Sequence, residues 1–436
     1  MIAARRVGFG LSGDAVERLV TMGGSRAVAA CLGFLATLLV ARALPPETLG
    51  LWSMALAVQG IALHFGEAGL RSVATAETAR TPELAGAYLC RTVALRLLIS
   101  TAVIGLASLA AWRWSAGDWR LTALLATSLW PIALQLDWLP LAQGRNRLAA
   151  GLLLVRPLSF VLLLLSIPLA EEPLQLAWLY LAAWWLAALV SWPCLGLLPR
   201  SAGAGLGVCA LLRNALPIAA GTVASQLLLG LDILLIGARF GPADAAFYFL
   251  ASAVLVAGLV VANGLGQSAL ARLGARADDP PAFRAALAAD LRLVAGVALI
   301  TALTAVSLAP LVLPLAFGAA YAPAVGVLFW LIPWFVLAQA TPILQAALAA
   351  TRQGDRLLVA NLWMVLGFAL GLAVAWQVET LWAFALARGF AEFVRLVALW
   401  SRRSWSGRSE MPGSHDLNVA HRDDADDLFD QRGQGN

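Results

Sequence analysis

The sequence predicts an all-α polytopic membrane protein, with twelve transmembrane helices arranged as two parallel six-helix repeats. Three observations carry this expectation. First, 61% of the 436 residues are hydrophobic and only 13% are charged, against roughly 25% charged residues in soluble domains. Second, apolar runs of about 20 residues, the length that crosses a bilayer, recur along the chain. They show no period-two alternation, so the spans are helices and not barrel strands; helices also satisfy their backbone groups inside lipid. Third, a motif recurs. Residues 40–52 read VARALPPETLGLW and residues 237–249 read GARFGPADAAFYF. Arg42 matches Arg239, Pro45 matches Pro242 and Glu47 matches Asp244, at a constant offset of 197.

The expected spans lie near 19–41, 49–70, 92–112, 121–142, 148–169, 174–197, 216–238, 245–268, 290–314, 323–348, 357–377 and 380–400. Span one is read as uncleaved: Ala41-Arg42-Ala43 has the look of a signal-peptidase site, but its apolar run is too long and contains Arg26. Arginine sets the orientation. With the N-terminus in the cytoplasm, 21 arginines fall in inner segments and the tail, and only Arg42, Arg113, Arg120 and Arg239 fall outside. The expected units are an N-terminal segment (1–18), a first half (19–200), a cytoplasmic linker (201–215), a second half (216–400) and a polar, Asp-rich cytoplasmic tail (401–436), which its composition predicts to be disordered. Every loop between spans is short.

The duplication extends past the opening motif. Leu95-Arg96-Leu97 matches Leu291-Arg292-Leu293, Pro131 corresponds to Pro333, and Arg147 to Arg356. Six spans per copy is an even number, so both copies enter the membrane in the same direction. The pseudo-two-fold axis then lies along the membrane normal, unlike that of an inverted-repeat transporter. The paired prolines are expected to bend spans four and ten around a central cavity.

Composition excludes several functions. All 30 basic residues are Arg, which reads as codon bias, so the net charge of +5 does not point to nucleic acid. Cys31, Cys90, Cys194 and Cys209, and the three histidines His64, His415 and His421, have no metal-ligand spacing. No cofactor is implied.

Ionisable groups inside spans are costly, so they face a cavity or a partner. Arg26, Glu67, Arg96, Asp137, Arg156, Asp232, Arg388, Glu392 and Arg395 fall in this class. Arg26 and Arg156 are either phosphate-binding guanidiniums or partners of Asp137 or Glu67. These four form the expected substrate set. Asp232, Arg388 and Glu392 form the expected coupling or gating set, with Asp232 serving as an ion site or as a packing acceptor. Arg388, Glu392 and Arg395 also read as a self-neutralised face of span twelve. Arg96 is expected to snorkel to the surface. Trp112, Trp114 and Trp119 read as interface anchors, and Trp184 and Trp185 as packing residues.

A basic start, a first span and then AR-x-L/F-G/P-P-x-x-x-G/A-x-[WY] into the second span resemble the polysaccharide flippases. These belong to the multidrug, oligosaccharidyl-lipid and polysaccharide exporter superfamily. In the second copy, Ser225-Gln226-Leu227, Leu231-Asp232-Ile233-Leu234-Leu235-Ile236-Gly237, Phe240-Gly241-Pro242 and Tyr248 are similar to the family's seventh-span pattern. The first copy departs from it, with Pro45-Pro46 where Gly-Pro is usual. The resemblance covers residues from about 15 to 400. It implies a non-enzymatic flippase of O-antigen or lipopolysaccharide biosynthesis in the bacterial inner membrane, with both termini cytoplasmic. Its cargo would be an oligosaccharide on a polyprenyl pyrophosphate. Membrane lipids, a polysaccharide polymerase and glycosyltransferases complete the implied partners. The competing readings are an exporter of cationic drugs, which needs an acidic aromatic cavity, a polymerase or ligase, which needs a long outer loop, and a scaffold that keeps only the fold.

Overall fold

The computed structural model describes residues 13–114, 119–168, 172–198, 207–277, 279–351 and 353–400. The described residues form helices and connections with no β-strand. The first half holds α1 (Gly13–Ala43), α2 (Pro46–Glu67), α3 (Leu70–Arg80), α4 (Ala85–Trp114), α5 (Trp119–Ala126), α6 (Leu129–Leu134), α7 (Trp138–Ala142), α8 (Asn146–Ser166) and α9 (Pro173–Ser191). The second half holds α10 (Val208–Phe240), α11 (Pro242–Gly274), α12 (Pro280–Phe317), α13 (Ala324–Ala338), α14 (Thr341–Ala350), α15 (Gly354–Val378) and α16 (Leu381–Trp400).

These sixteen helices account for twelve crossings. Spans two, four and ten are each divided: α2 with α3, α5 to α7, and α13 with α14. Nine described helical stretches are by themselves long and apolar enough to cross a membrane. Among the remaining crossings, span four is cut into helices too short to qualify, and α16 carries Arg388, Glu392 and Arg395. α10 begins at Val208, so the second part of the expected linker is already helix. The acidic tail lies outside the described residues.

The divisions do not all fall where the prolines do. Span two breaks at Ala68 and Gly69, both in the left-handed region (φ 45° and 69°). Gly69 is required there. A Cβ would stand 2.5 Å from the Ala215 carbonyl oxygen of α10. Span four unwinds over residues 135–137, where the Leu136 N–H donates to Ser191 Oγ instead of to a helical carbonyl (3.0 Å). Pro333, by contrast, sits inside an unbroken α13. Span ten breaks at Gln339 and Ala340, just before Pro342. The paired prolines therefore do not mark the same break in the two halves. A proline removes one donor, and neighbouring side chains decide whether the helix continues.

The two motif copies meet at the end of the molecule away from the N-terminus. Gly50 of α2 lies against the backbone of Pro242, so close that a Cβ on Gly50 would overlap the Pro242 carbonyl. Arg42 reaches from α1 to the end of α12 and donates to the Ala316 and Leu315 carbonyl oxygens (2.6 and 2.8 Å). These are free last-turn acceptors at the negative end of the helix dipole. The Tyr321 hydroxyl donates to the Leu44 carbonyl (2.6 Å). Burial pushes that phenol up to about 12, so it remains a donor at any cellular pH. Between the halves the main core packs Trp52, Tyr248, Leu255, Phe317 and Phe335.

Candidate functional site

A cavity of about 870 Å³ opens in the half of the molecule nearer the N-terminus. Its walls come from both repeats: Arg26 from α1, Asn263 and Gln267 from α11, and Gln345 from α14. The remaining wall mixes small residues such as Gly23, Gly264 and Ala346 with the apolar side chains of Val260, Leu270, Pro342 and Leu357. Arg26 is exposed and pairs with no carboxylate among the described residues. It is also the single ionisable side chain among the described lining residues. Arg26 lies on the helix face that places Gly23 and Ala27 beside it, one turn apart.

A smaller cavity of about 180 Å³ lies further along the same helix, beside Gly33, Thr37 and Val40. At 1.5 Å per residue, its α1 wall is about 10–20 Å beyond Arg26. Arg156 of α8 lines it, with Trp52, Phe160, Tyr180 and Phe249. The Arg156 guanidinium stacks on Trp184, 4.7 Å from the ring centroid. Tyr180 packs edge-on against Trp52, Phe160 and Trp184. Arg156 has a cation–π partner and no carboxylate among the described residues. Pro157 follows it inside α8.

The structure gathers Glu67 and Asp137 elsewhere. Arg71 donates to Asp137 at 2.5 Å and approaches Glu67 at 3.7 Å. Arg96 approaches Glu67 at 3.4 Å and donates to the Ile132 carbonyl at 2.7 Å. The four side chains staple the break in span two to the break in span four. Neither carboxylate lines either arginine cavity, and neither pairs with Arg26 or Arg156. Arg96 is 1% exposed and does not snorkel. At the end of α6 the Ile132 carbonyl accepts both from Arg96 and from the Gln135 N–H (3.3 Å). Arg71, read from sequence only as an inner-loop charge, is the partner both carboxylates required. A cation four residues after Glu67 was the available signal.

Asp232, Arg388 and Glu392 lie together in the second half. Asp232 is fully buried on α10 and accepts from Tyr248 Oη of α11 at 2.7 Å. Arg388 of α16 donates to Asp232 at 3.3 Å and to Ser252 Oγ at 3.2 Å. Its guanidinium lies 3.7 Å from the Trp334 ring centroid, while Nε and Nη2 have no partner. Glu392 accepts from Thr341 Oγ1 and faces Arg395 at 3.6 Å. The charged face of α16 is thus neutralised in two separate pieces. Arg388 pairs across helices with Asp232, not along its own helix with Glu392.

The polysaccharide biosynthesis protein family matches residues 20–271 of this chain, more than half of its length. The chain belongs to that family. The match runs through the whole first half and into α11, including Arg26, Arg156 and Asp232. No curated protein matches this polysaccharide biosynthesis protein. Solved structures show its fold. An inward-facing multidrug resistance MATE family transporter of the MOP superfamily superposes with a TM-score of 0.70 and 14% identity, over 88% of this chain and 96% of that one. An outward-facing one superposes with a TM-score of 0.64 and 15% identity, over 89% and 95%. The lipid II flippase MurJ, inward closed, superposes with a TM-score of 0.69 and 13% identity, over 87% and 86%. The family member described here shares the MOP-superfamily fold.

Proposed function

We propose that this protein is a flippase that moves a polyprenyl-pyrophosphate-linked oligosaccharide from the inner to the outer leaflet of a bacterial inner membrane. One observation carries the reading: the larger cavity presents the unpaired Arg26 guanidinium and no carboxylate among its described lining residues. A guanidinium in a cavity without carboxylates attracts a pyrophosphate, with two parallel hydrogen bonds available. It repels the cations that a multidrug exporter would carry. The excess of arginine at the N-terminal end supports a cytoplasmic position for that end, with the cavity then facing the side where lipid-linked sugars are made. The second guanidinium, Arg156, lies deeper and takes the charge as the halves rock and the seam at Gly50 and Pro242 parts. The Asp232–Arg388 pair and Glu392 tie α10, α14 and α16 together, and we assign them the gating role within the second half.

The test is translocation of lipid-linked oligosaccharide in proteoliposomes. Arg26→Ala should lower the rate by at least tenfold, while Arg26→Lys should retain part of it. An unchanged rate in Arg26→Ala removes this residue from the mechanism. Export of an organic cation by the wild-type protein, with no movement of lipid-linked sugar, replaces the flippase reading with the multidrug one.

A further inference from the structure

The cavity beside Arg26 holds a second kind of chemistry. Asn263 and Gln267 stand one turn apart on α11, and Gln345 lines the same cavity from α14. None of the three side chains has a hydrogen-bond partner among the described residues. Elsewhere in the spans, Gln59 donates to Ser128 Oγ at 3.0 Å and Gln339 to Thr301 Oγ1 at 2.9 Å, while Gln339 Oε1 and Asn361 Oδ1 are buried without a partner and line no such cavity. Asn263 and Gln267 are exposed and Gln345 is half-buried, so their amides are open to a ligand in the cavity. Val260, Leu270, Pro342 and Leu357 also line the cavity, but an added Cβ at Gly23 or Gly264 would meet nothing within 4 Å, so a ligand can approach the backbone at those two positions.

A carboxamide offers one acceptor oxygen and two N–H donors. Vicinal sugar hydroxyls present the complementary set, with each hydroxyl donating and accepting. Neither a cation nor a bare pyrophosphate uses both. The halves also divide these chemistries. The guanidinium is on α1 of the first half, and the amides are on α11 and α14 of the second.

We propose that Asn263, Gln267 and Gln345 form a glycan-reading wall. They hydrogen-bond hydroxyl groups of the sugars next to the pyrophosphate held at Arg26, so the second half selects the glycan while the first half binds the charge. This rests on the flippase reading above. The cargo then bridges the two repeats.

Binding to the full-length protein in nanodiscs, followed by tryptophan fluorescence, tests the wall with two probes. One is undecaprenyl pyrophosphate. The other is the lipid-linked oligosaccharide extracted from the cells that make the protein. The wild type should bind the sugar-bearing lipid at least tenfold more tightly, since one or two hydrogen bonds to the sugar are together worth about tenfold in affinity. The Asn263→Leu/Gln267→Leu double variant should forfeit that advantage and keep its affinity for undecaprenyl pyrophosphate. Arg26→Ala should weaken both. If the double variant binds neither probe, Gln345→Met decides, and it must weaken only the sugar-bearing lipid. Equal binding of both probes by the wild type, or an unchanged preference in the amide variants, overturns the wall and leaves the flippase standing. A wild type that binds neither probe overturns both.

Discussion

At the scale of single residues, the same type of side chain does two different jobs. Arg26 and Arg156 lack carboxylate partners among the described residues and line cavities. Arg71, Arg96 and Arg388 are consumed by internal acceptors. Sequence depth alone did not separate these groups, because a charge inside a span is equally compatible with a ligand and with a salt bridge. The Asp232–Arg388 pair shows the energetic consequence. Removing one partner leaves a buried uncompensated charge and costs about 3–5 kcal/mol. Asp232→Ala should therefore lower the melting temperature in detergent sharply. Asp232→Leu combined with Arg388→Met should recover most of it, because the pair carries its own desolvation cost. A double variant as unstable as the single one would show that Tyr248 and Ser252 need the charges for their own placement.

At the scale of elements, backbone breaks matter more than the prolines that announced them. The turn at Ala68–Gly69 has no proline, yet it allows Glu67 and Arg71 to reach Arg96 and Asp137. Pro333, the expected hinge, leaves α13 unbroken. A single sequence shows where a helix lacks a donor, but not which neighbour fills the gap. Ser191 and Arg96 fill it in span four, from elsewhere in the chain. Close approach is equally silent until the helices are placed. Gly50 is one glycine among 38, but it alone lets α2 reach the start of α11 at Pro242. Gly50→Val should prise that seam open. We expect transport to fall and limited proteolysis between the halves to speed up, with little change for Gly86→Ala, whose Cβ would meet nothing within 4 Å.

At the scale of the whole molecule, the repeated arginines have diverged. Arg42 crosses between the halves to cap α12. Arg239 stays within the second half, paired with Glu379 and set 5.6 Å from the Trp376 ring centroid. Arg42 and Tyr321 therefore latch the two halves together at the end where Gly50 meets Pro242. Losing three hydrogen bonds of about 1 kcal/mol each shifts a two-state equilibrium by about 140-fold, since 1.4 kcal/mol is tenfold. Arg42→Ala/Tyr321→Phe should populate the outward-facing form accordingly. Thr37, which lines the inner pocket, provides the probe. In a background with Cys31, Cys90, Cys194 and Cys209 changed to Ser, labelling of Thr37→Cys by an impermeant thiol reagent from the outer side should rise. Unchanged labelling would mean that the Gly50–Pro242 seam holds the end shut without the latch.

The sequence by itself determined the membrane class, the helical spans and the two parallel repeats. These follow from composition, run length and the parity of the repeat, none of which depends on how helices pack. It also singled out Arg26 and Arg156, because an intramembrane guanidinium stands out against apolar neighbours. Tertiary structure alone decided the rest. It assigned Glu67 and Asp137 to Arg71 and Arg96, paired Arg388 with Asp232, and left the amides of α11 and α14 facing a cavity without partners. It also brought the two motif copies together, so that the 197-residue echo becomes a seam closing one end. The physical reason is common to all four. A polar group's role depends on which partners lie within hydrogen-bond reach, and here those partners come from helices far apart in the chain.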